Sequence, residues 1–443
     1  MLQTTAAVLA GKAARTAARL RGGGTGGSAL PGLVAERVDP GFLAHALADV
    51  PQVVVVSGTN GKTTTTKMLV ALLRAHGRTV FTNPTGSNFT RGVISAMLAE
   101  LPLRGRLRAD LAVLELDEAH ALHFARAVAP THALLLNVAR DQLDRFAEID
   151  HTARLLTQLA TMTTQGVVIN RDDSFVNRIA PVLGADIAVR WFGLDASIAD
   201  RLGELQEADA RELDDWTPPE PAAGDGLLGP VTDTDLTITL GERVLGPVPL
   251  RQRGLAAMIN ATAATTTAAM LLGDDFSLAA TEQALRTVRP PFGRGEVIDA
   301  GGQPLELVLV KNPAGFTVAL GTYGATPVAS MIAINDDYAD GRDVSWLYDV
   351  DFSGLAGERG RGVAMTSGVR AWDMALRLQY DDVAVGAVET DLEQALTAFL
   401  AAHPDEPRRI FCTYTAMLAL RRLLAARYDV PEMGVDAPEE AAI

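Results

Sequence analysis

The alternation of apolar and polar stretches along the chain predicts a parallel β-sheet in the first half of the sequence. Residues 51–57, PQVVVVS, form a β-branched run that is typical of a strand buried on both faces. Further apolar runs that we predict as strands lie at 79–82, 111–116, 133–138 and 166–170. Helical patterns separate these runs, and strands that alternate with helices favour a parallel sheet in an α/β domain.

The later pattern predicts a second, smaller α/β domain. Residues 232–249 alternate like a hairpin, and helices predicted at 255–272 and 278–288 complete the first domain. A turn-rich hinge, PPFGRG, follows at 290–295. Beyond the hinge, helical patterns alternate with strands that we predict at 305–310, 330–334, 383–385 and 409–412.

These boundaries divide the chain into three predicted parts. They are an N-terminal helical segment (1–50), a central domain (51–293) and a C-terminal α/β domain (294–443). Within the central domain, residues 196–229 are acidic and contain Pro218, Pro219 and Pro221. We expect this segment to be a surface insertion that lies outside the core.

Composition excludes several classes of protein. The 443 residues are 48% hydrophobic and 21% charged, as in an ordinary soluble globular protein. A formal charge of −15 argues against sequence-independent nucleic-acid binding, which depends on cations. The single cysteine excludes a disulfide scaffold and a zinc site built from cysteines. We expect a cytoplasmic protein, and the basic helix predicted at residues 1–21 leaves peripheral contact with the inner membrane face open.

The strongest chemical signal is the segment SGTNGKTTT at 57–65, between a predicted buried strand and a predicted helix. Glycines let backbone N–H groups surround phosphate oxygens, and the helix N-terminus favours an anion. A lysine beside them reaches the terminal phosphates, and the next hydroxyl can bind Mg²⁺. Val56 stands where the general phosphate-loop pattern has glycine. The predicted nucleotide-binding residues are Gly58, Thr59, Asn60, Gly61, Lys62, Thr63 and Thr64, with Thr63 also a ligand of Mg²⁺.

The variant GTNGKTTT resembles the phosphate loop of the Mur ligase and folylpolyglutamate synthetase superfamily. The resemblance implies a Mur ligase-like central ATPase domain that uses ATP and Mg²⁺. It implies that Glu115, near the end of LAVLELDE, binds Mg²⁺ and is catalytic together with Lys62. It also implies that Asn260 lies near adenine and that Arg294, in FGRGE, reaches the ATP phosphates.

Three further stretches resemble the MurT family, the Mur ligase-like subunits of lipid II isoglutaminyl synthase. They are TGSNFTRG at 85–92, RDQLDRFAEID at 140–150 and NDDYADGRDVSWLYD at 335–349. This resemblance implies ATP-dependent amidation of the α-carboxylate of D-isoglutamate in the lipid II stem peptide through an acyl phosphate. It further implies a heterodimer with a GatD-type glutaminase that supplies ammonia. Many members carry a four-cysteine zinc ribbon, but residues 196–229 contain no cysteine, so we expect no zinc.

The same resemblance suggests roles for residues outside the phosphate loop. Asp349 becomes the candidate catalytic acid that binds ammonium and takes its proton, and Asn335 and Asp336 are assigned to the nucleotide side. The candidate lipid II contacts are Thr85, Ser87, Asn88 and Arg91. The roles of Glu118, Lys311 and Asp337 stay open.

The ammonia source is predicted to lie on another chain. A glutaminase of the expected class needs a cysteine at a strand-to-helix elbow. Cys412 lies in RIFCTY, without the glycines of such an elbow, and is predicted to be a buried structural thiol.

Two alternatives remain at this stage. A stand-alone amino-acid ligase of the folylpolyglutamate type would share the phosphate loop, Glu115 and the hinge. A phosphate-loop protein that acts as a nucleotide switch would bind partners and form no amide.

Overall fold

The computed structural model describes residues 2–20, 29–83, 89–139, 149–205, 218–324, 328–356 and 361–430. Thr85, Ser87, Asn88 and the segment 140–148 therefore lie outside the described residues. The sequence-predicted α/β class is confirmed, because one large and one smaller sheet are present and each is covered by helices.

In the described residues, nine strands form the larger sheet in the order β2-β3-β1-β4-β5-β6-β7-β8-β9. Strands β1 to β7 are parallel, and β8 and β9 form an antiparallel hairpin at one edge. The strands are β1 (Gln52–Ser57), β2 (Val80–Thr82), β3 (Leu111–Glu115), β4 (His132–Leu135), β5 (Gly166–Asn170), β6 (Ala188–Leu194), β7 (Gly226–Leu228), β8 (Asp235–Leu240) and β9 (Arg243–Pro249).

Helices cover both faces of this sheet, which explains why its central strands are apolar throughout. One apolar core joins the sheet to α4 (Lys62–Ala75), α8 (Leu255–Leu272) and α9 (Leu278–Thr287). The opposite core lies under α1 (Leu2–Leu20), α2 (Leu30–Val38), α3 (Phe42–Leu47), α5 (Thr90–Glu100), α6 (Glu118–Ala127) and α7 (Ile149–Thr161).

Helix α8 is buried although it contains several threonines. Three of their hydroxyl groups donate to carbonyl oxygens four residues earlier, Thr262 to Met258, Thr266 to Thr262 and Thr267 to Ala263, so these polar atoms are satisfied inside the core. Among the described residues, the span Leu255–Asp275 alone is long and apolar enough to cross a membrane, and 67% of its 18-residue apolar window is buried inside the protein.

In the described residues, six strands form the second sheet in the order β10-β11-β15-β12-β13-β14, with only the β10–β11 pair antiparallel. The strands are β10 (Arg294–Asp299), β11 (Pro304–Leu309), β12 (Ala329–Ala333), β13 (Val363–Ser367), β14 (Val385–Glu389) and β15 (Arg408–Cys412). The helices are α10 (Pro313–Tyr323), α11 (Ala371–Tyr380), α12 (Leu392–Ala402) and α13 (Tyr414–Ala425).

The prediction that residues 196–229 form a surface insertion was wrong for part of the segment. Ile198 and Leu228 are buried in the main core, and Gly226–Leu228 forms β7 in the larger sheet. The acidic and proline-rich composition of this segment prevented us from recognising these short buried stretches in the sequence. The predicted strand at 383–385 was also misplaced, because β14 spans Val385–Glu389. The division into domains at residues 293 and 294 stays a prediction.

Candidate active site

The phosphate loop leaves β1 and enters α4 through two glycines with positive φ. The φ angle is 133° at Gly58 and 87° at Gly61, a region that favours glycine. A Cβ atom on Gly61 would lie 2.5 Å from Asn260 Oδ1 on α8. The loop and the predicted adenine-contacting residue are therefore side by side.

Asparagine side chains fix the shape of this loop. Asn60 N donates to Asn137 Oδ1 at 2.9 Å, and Asn137 Nδ2 donates to Asn60 O at 3.0 Å. The backbone of Asn137 also accepts from Thr59 N at 2.9 Å. The loop is thus tied to the residues just beyond β4, and Asn137 has a structural role here.

Lys62 is buried and directed back into its own loop. Its Nζ donates to Gly58 O and, at 3.2 Å, to Thr59 O. It lies 3.5 Å from Asp117 Oδ1 and 4.0 Å from Glu118 Oε2. The pKa of Glu118 is raised to about 7, because burial and the neighbouring Asp117 together outweigh the opposing charge of Lys62.

Glu115 and Thr63 form a buried oxygen pair beside the loop. Thr63 Oγ1 donates to Glu115 Oε1 at 2.7 Å. Burial raises the pKa of Glu115, while the Thr63 hydrogen bond and the charges of Lys62 and Arg294 lower it. Both backbone groups of Glu115 are held by Asn83, whose Nδ2 donates to Glu115 O and whose Oδ1 accepts from Glu115 N, each at 2.9 Å.

The second sheet brings its own residues to the phosphate loop. Lys311 Nζ donates to Thr59 O at 3.3 Å, so lysines from both sheets converge on the same carbonyl oxygen. Asn312 Nδ2 donates to Asn60 Oδ1 at 3.1 Å, while its Oδ1 caps α10 by accepting from Gly315 N at 2.7 Å.

A deep cleft lies between the two sheets at this contact. Its empty volume is about 1370 Å³, including the part open to solvent. Residues predicted from the sequence that line it are Asn60, Gly61, Thr64, Asn260 and Arg294. Lys311, whose role was open, lines it as well. Both sheets therefore contribute walls and cations to one cavity.

Several cleft residues were missed by sequence reasoning. They are Asn170, Asp172, Gln252, Arg253 and Tyr323. Burial raises the pKa of Asp172 to about 6 and that of Tyr323 to about 12. The available signal was the polar run Asn170-Arg-Asp-Asp directly after a predicted strand, because such residues collect at the carboxyl edge of a parallel sheet.

Other predicted residues lie outside this cleft. Asp336 is paired with Arg370 at 2.8 Å. The Asn335 amide donates to Thr415 Oγ1 at 3.1 Å. Asp349 is exposed at the end of a short 3-10 helix, Ser345–Asp349. Arg91 is paired with Glu36 at 2.9 Å.

Of these residues, Asn335 belongs to a polar cluster at the carboxyl ends of β12 and β15. Buried Asp340 accepts from Thr415 N at 2.7 Å, next to Asn335. Burial raises the pKa of Tyr414, and the charges of Asp340 and Glu115 raise it further. The cluster of the second sheet therefore lies within electrostatic range of Glu115 on the first.

Cys412 is a free, fully buried thiol whose pKa is raised by burial. Its sulfur is surrounded by the backbone of β15 and β11. The sequence prediction of a buried thiol is confirmed.

The chain is similar to known proteins over nearly its whole length. Residues 56–214 match the Mur ligase middle domain, and residues 309–417 match the MurT ligase C-terminal domain. The MurT subunit of lipid II isoglutaminyl synthase (glutamine-hydrolyzing) from Streptococcus pneumoniae is 31% identical over 97% of this chain and 98% of the relative. The corresponding Staphylococcus aureus subunit is 29% identical over 89% of this chain and 92% of the relative.

Solved structures share the fold. MurF from Acinetobacter baumannii superposes with a TM-score of 0.66 over 88% of this chain and 80% of that one, at 17% identity. MurF from Thermotoga maritima, solved with ADP, superposes with a TM-score of 0.64 over 87% of this chain and 82% of that one, at 16% identity. With the Mur ligase fold, both domain matches and a full-length relative above 30% identity, the chain belongs to the MurT family.

Proposed function

We propose that this protein is the synthetase subunit of a lipid II isoglutaminyl synthase. In this role it uses ATP to amidate the α-carboxylate of D-isoglutamate in the lipid II stem peptide, giving D-isoglutamine. The observation that carries the proposal is the full-length similarity to the Streptococcus pneumoniae MurT subunit. It is supported by a cleft in which cations from two sheets converge on one phosphate loop.

The proposed reaction brings two anions together, so it needs positive charge. Lys62, Lys311 and Arg294 supply cations from the loop and the second sheet. The N-terminus of α4 adds a favourable dipole. These groups offset the repulsion between the γ-phosphate and the carboxylate that attacks it.

The residues beside the loop fit a magnesium ion. Thr63 Oγ1 and Glu115 Oε1 are hard oxygen donors 2.7 Å apart and buried together. Within the described ranges, no group of three or more His, Cys, Asp or Glu is arranged to hold a metal. This suits Mg²⁺, which uses one or two protein ligands together with phosphates and water. When bound, Mg²⁺ neutralises charge on the β- and γ-phosphates.

The proposed chemistry has two steps. A carboxylate oxygen of the substrate attacks the γ-phosphorus, the bond to the bridging oxygen of ADP breaks, and an acyl phosphate forms. The ammonia nitrogen then attacks the acyl carbon, inorganic phosphate leaves, and nitrogen loses a proton. Asp349, which is exposed at the end of the 3-10 helix Ser345–Asp349, is our candidate for binding ammonium and accepting a proton.

The ammonia is proposed to come from a GatD-type glutaminase subunit. The names of both relatives contain the words "glutamine-hydrolyzing" and "subunit". The one cysteine of this chain, Cys412, is fully buried between strands and cannot serve as an accessible nucleophile. We further propose that the complex works in the cytoplasm, at the inner membrane face where lipid II is reached.

The test uses the purified chain with lipid II, ATP and Mg²⁺, with and without the co-expressed GatD-type glutaminase. The nitrogen source is either glutamine or ammonium chloride, and mass spectrometry follows the stem peptide. We expect the small mass decrease that accompanies replacement of a hydroxyl by an amino group. When glutamine is the nitrogen source, this mass decrease requires the glutaminase. When ammonium chloride is the nitrogen source, it does not.

Two results would contradict the proposal. A mass increase equal to an amino-acid residue would indicate a stand-alone ligase. ATP turnover without any change in peptide mass would indicate a nucleotide switch. A Lys62→Met variant, which lacks the phosphate-loop ammonium, controls for contaminating ligases and should form no product.

A further inference from the structure

A positively charged surface lies on the N-terminal helices, although the whole chain carries a formal charge of −15. Helix α1 contains no acidic residue. The segment that follows α5, LPLRGRLRA at 101–109, contains three arginines and no acid. Each of the two segments also exposes a leucine to solvent. We call this surface the basic face, and it consists of Leu9, Arg15, Leu103, Arg104 and Arg108.

The two segments of the basic face are packed against each other. Lys12 Nζ on α1 donates to Leu101 O at 2.7 Å. Gly105 has a φ angle of 73°, and a Cβ atom there would lie 2.7 Å from Thr4 Cγ2 on α1. Because glycine alone fits this close approach, the loop lies directly on α1, and the two segments form one surface.

The loop arginines are available to a ligand. Arg104 and Arg108 are exposed, and neither has an ion-pair partner within the described part of the chain. Arg106, which lies between them, is paired with Asp49. Exposed cations without a partner keep their charge for an external anion.

Two further acids flank the loop, and each has its own interactions. Asp110 accepts from Thr79 N at 2.7 Å and from Thr79 Oγ1 at 2.6 Å. Glu100 lies within electrostatic range of Arg74 on α4. Both carboxylates therefore interact with other parts of the chain and leave the two exposed loop arginines unpaired.

The exposed leucines indicate the kind of anion that this surface suits. Leu9 and Leu103 are 53% and 55% exposed, and each belongs to the same segment as an arginine of the face. Leucine gains free energy when it enters the acyl region of a bilayer, and an arginine beside it keeps its guanidinium at the level of the lipid phosphates. Single-stranded nucleic acids are instead bound by cations together with aromatic rings, and the basic face contains no aromatic residue.

Helix α5 connects the basic face to the predicted substrate contacts. Arg91, a predicted lipid II contact, lies in the first turn of α5, and the arginine loop follows the last residue of this helix. The 11 residues of α5 span about 16 Å. Lipid II is anchored in the bilayer, while its stem peptide projects into water. A bilayer on the basic face would therefore lie about one helix length from the predicted contact.

We propose that the basic face binds the protein to an anionic membrane surface. Arg15, Arg104 and Arg108 lie at the lipid phosphates in this arrangement, and Leu9 and Leu103 enter the acyl boundary. The choice of a bilayer as the ligand rests on the proposed function, whose substrate is a lipid. Each basic residue near an anionic leaflet contributes to binding, and the attraction falls off within a Debye length. The same leaflet repels the acidic remainder of the chain, which orients this face toward the membrane.

The experiment measures co-sedimentation of the purified full chain with vesicles. One set of vesicles contains phosphatidylcholine and phosphatidylglycerol in equal parts, and the other contains phosphatidylcholine alone. The double variant Arg104→Gln/Arg108→Gln is compared with Arg243→Gln/Arg289→Gln, which removes the same charge from positions beside β9 and α9. All four side chains are exposed, so both variants should fold, and circular dichroism checks this.

We expect Arg243→Gln/Arg289→Gln to bind the anionic vesicles like wild type, and Arg104→Gln/Arg108→Gln to bind them roughly tenfold or more weakly. Raised salt should weaken wild-type binding, because the arginines act through their charge. Leu103→Ser should bind roughly threefold or more weakly, and this loss should persist in raised salt, because the contribution of leucine is not electrostatic.

Equal binding of the two double variants would overturn the proposal, and so would wild-type binding to phosphatidylcholine alone at the same affinity. Absence of vesicle binding by wild type would overturn it as well. Light scattering adds a test, because a wild-type dimer that Arg104→Gln/Arg108→Gln dissociates would show that the face binds a second copy instead. The vesicles contain neither lipid II nor nucleotide, so failure of the amidation reaction is a separate result.

Discussion

At the scale of single residues, the most direct prediction concerns the two lysines that donate to the carbonyl oxygen of Thr59. Lys62 and Lys311 donate to one carbonyl oxygen although their charges repel. A phosphate group placed between them would remove that repulsion. Lys62 belongs to the loop, whereas Lys311 comes from the opposite wall of the cleft, where we expect the terminal phosphate.

We predict that Lys311→Met weakens ATP binding by roughly tenfold or more, because it removes a charge-assisted hydrogen bond. ADP binding should change little, since ADP lacks the terminal phosphate. Calorimetric titrations with both nucleotides in Mg²⁺ measure the difference. Lys12→Met is the control, since Lys12 on α1 donates to Leu101 O directly after α5 and does not line the cleft. Equal losses of ATP and ADP affinity would contradict this role of Lys311.

Two glycines at the ends of α4 permit a matched comparison. Gly61 and Gly77 have φ angles of 87° and 75°, but a Cβ atom on Gly61 would meet Asn260 at 2.5 Å, and one on Gly77 would meet nothing within 4 Å. Gly61→Ala and Gly77→Ala should each lose about 1 kcal/mol of unfolding free energy from backbone strain.

Only Gly61→Ala should also lose nucleotide binding, because its methyl group displaces the loop from Asn260. Thermal denaturation with and without ATP separates the two effects. If Gly61→Ala is stabilised by ATP as strongly as Gly77→Ala, then the close approach of loop and α8 is not needed for binding.

At the scale of elements, strand β4 contains a buried histidine that makes stability depend on pH. Burial lowers the pKa of His132 from 6.5 to about 4. The unfolded chain therefore binds this proton more readily than the folded chain between these values. The free energy of unfolding should fall as the pH is lowered through this window.

We predict that His132→Gln removes this contribution, about 1 kcal/mol per pH unit within the window, while keeping a polar group beside Thr131. Chemical denaturation at several pH values measures it, with exposed His123→Gln as the control. Parallel pH dependences for wild type and His132→Gln would show that other groups cause the acid instability.

The sequence predicts correctly those elements whose pattern lies in one continuous stretch of residues. The loop at 57–65, helix α8 and strand β5 follow from local patterns, and β5 and α8 have the predicted bounds. It missed α2, β10 and β13, and it treated β7 as part of an insertion. β7 has only three residues, and no local period distinguishes so short a strand.

The same limit explains which residues of the candidate site could be predicted from the sequence. The loop and Arg294 were recognised because they lie in compact motifs. Arg253 and Tyr323 are isolated residues, and only the meeting of α8 and α10 at the cleft brings them together. Residues of this kind cannot be assigned to a site from the sequence, because only the three-dimensional structure shows that they lie together.

At the scale of the whole molecule, one ligand is expected to bind across two separately cored sheets. The described residues form distinct apolar clusters in the two sheets, and Asn60–Asn312 and Thr59–Lys311 hydrogen bonds join them at the loop. A nucleotide held by both walls should stabilise both sheets together.

We predict that ATP with Mg²⁺ raises the unfolding temperature of the whole chain in a single transition. The gain in free energy should be about 2.7 kcal/mol at 100 times the dissociation constant. Differential scanning calorimetry at several ATP concentrations measures it, with Lys62→Met as the control. Stabilisation confined to one of two resolved transitions would show that the nucleotide contacts only one sheet.

The amide of Asn83 has a consequence for how members of this family can diverge. Backbone pairing of β2 with β3 ends at Thr82 and Val113, and the Asn83 side chain then imitates one more peptide group opposite Glu115. The Glu115 carboxylate, which we propose as a ligand of Mg²⁺, thus keeps its anchor independently of the chain that follows residue 83. We therefore expect that residues beyond this point can be exchanged, in evolution or by design, without moving Glu115 away from the phosphate loop.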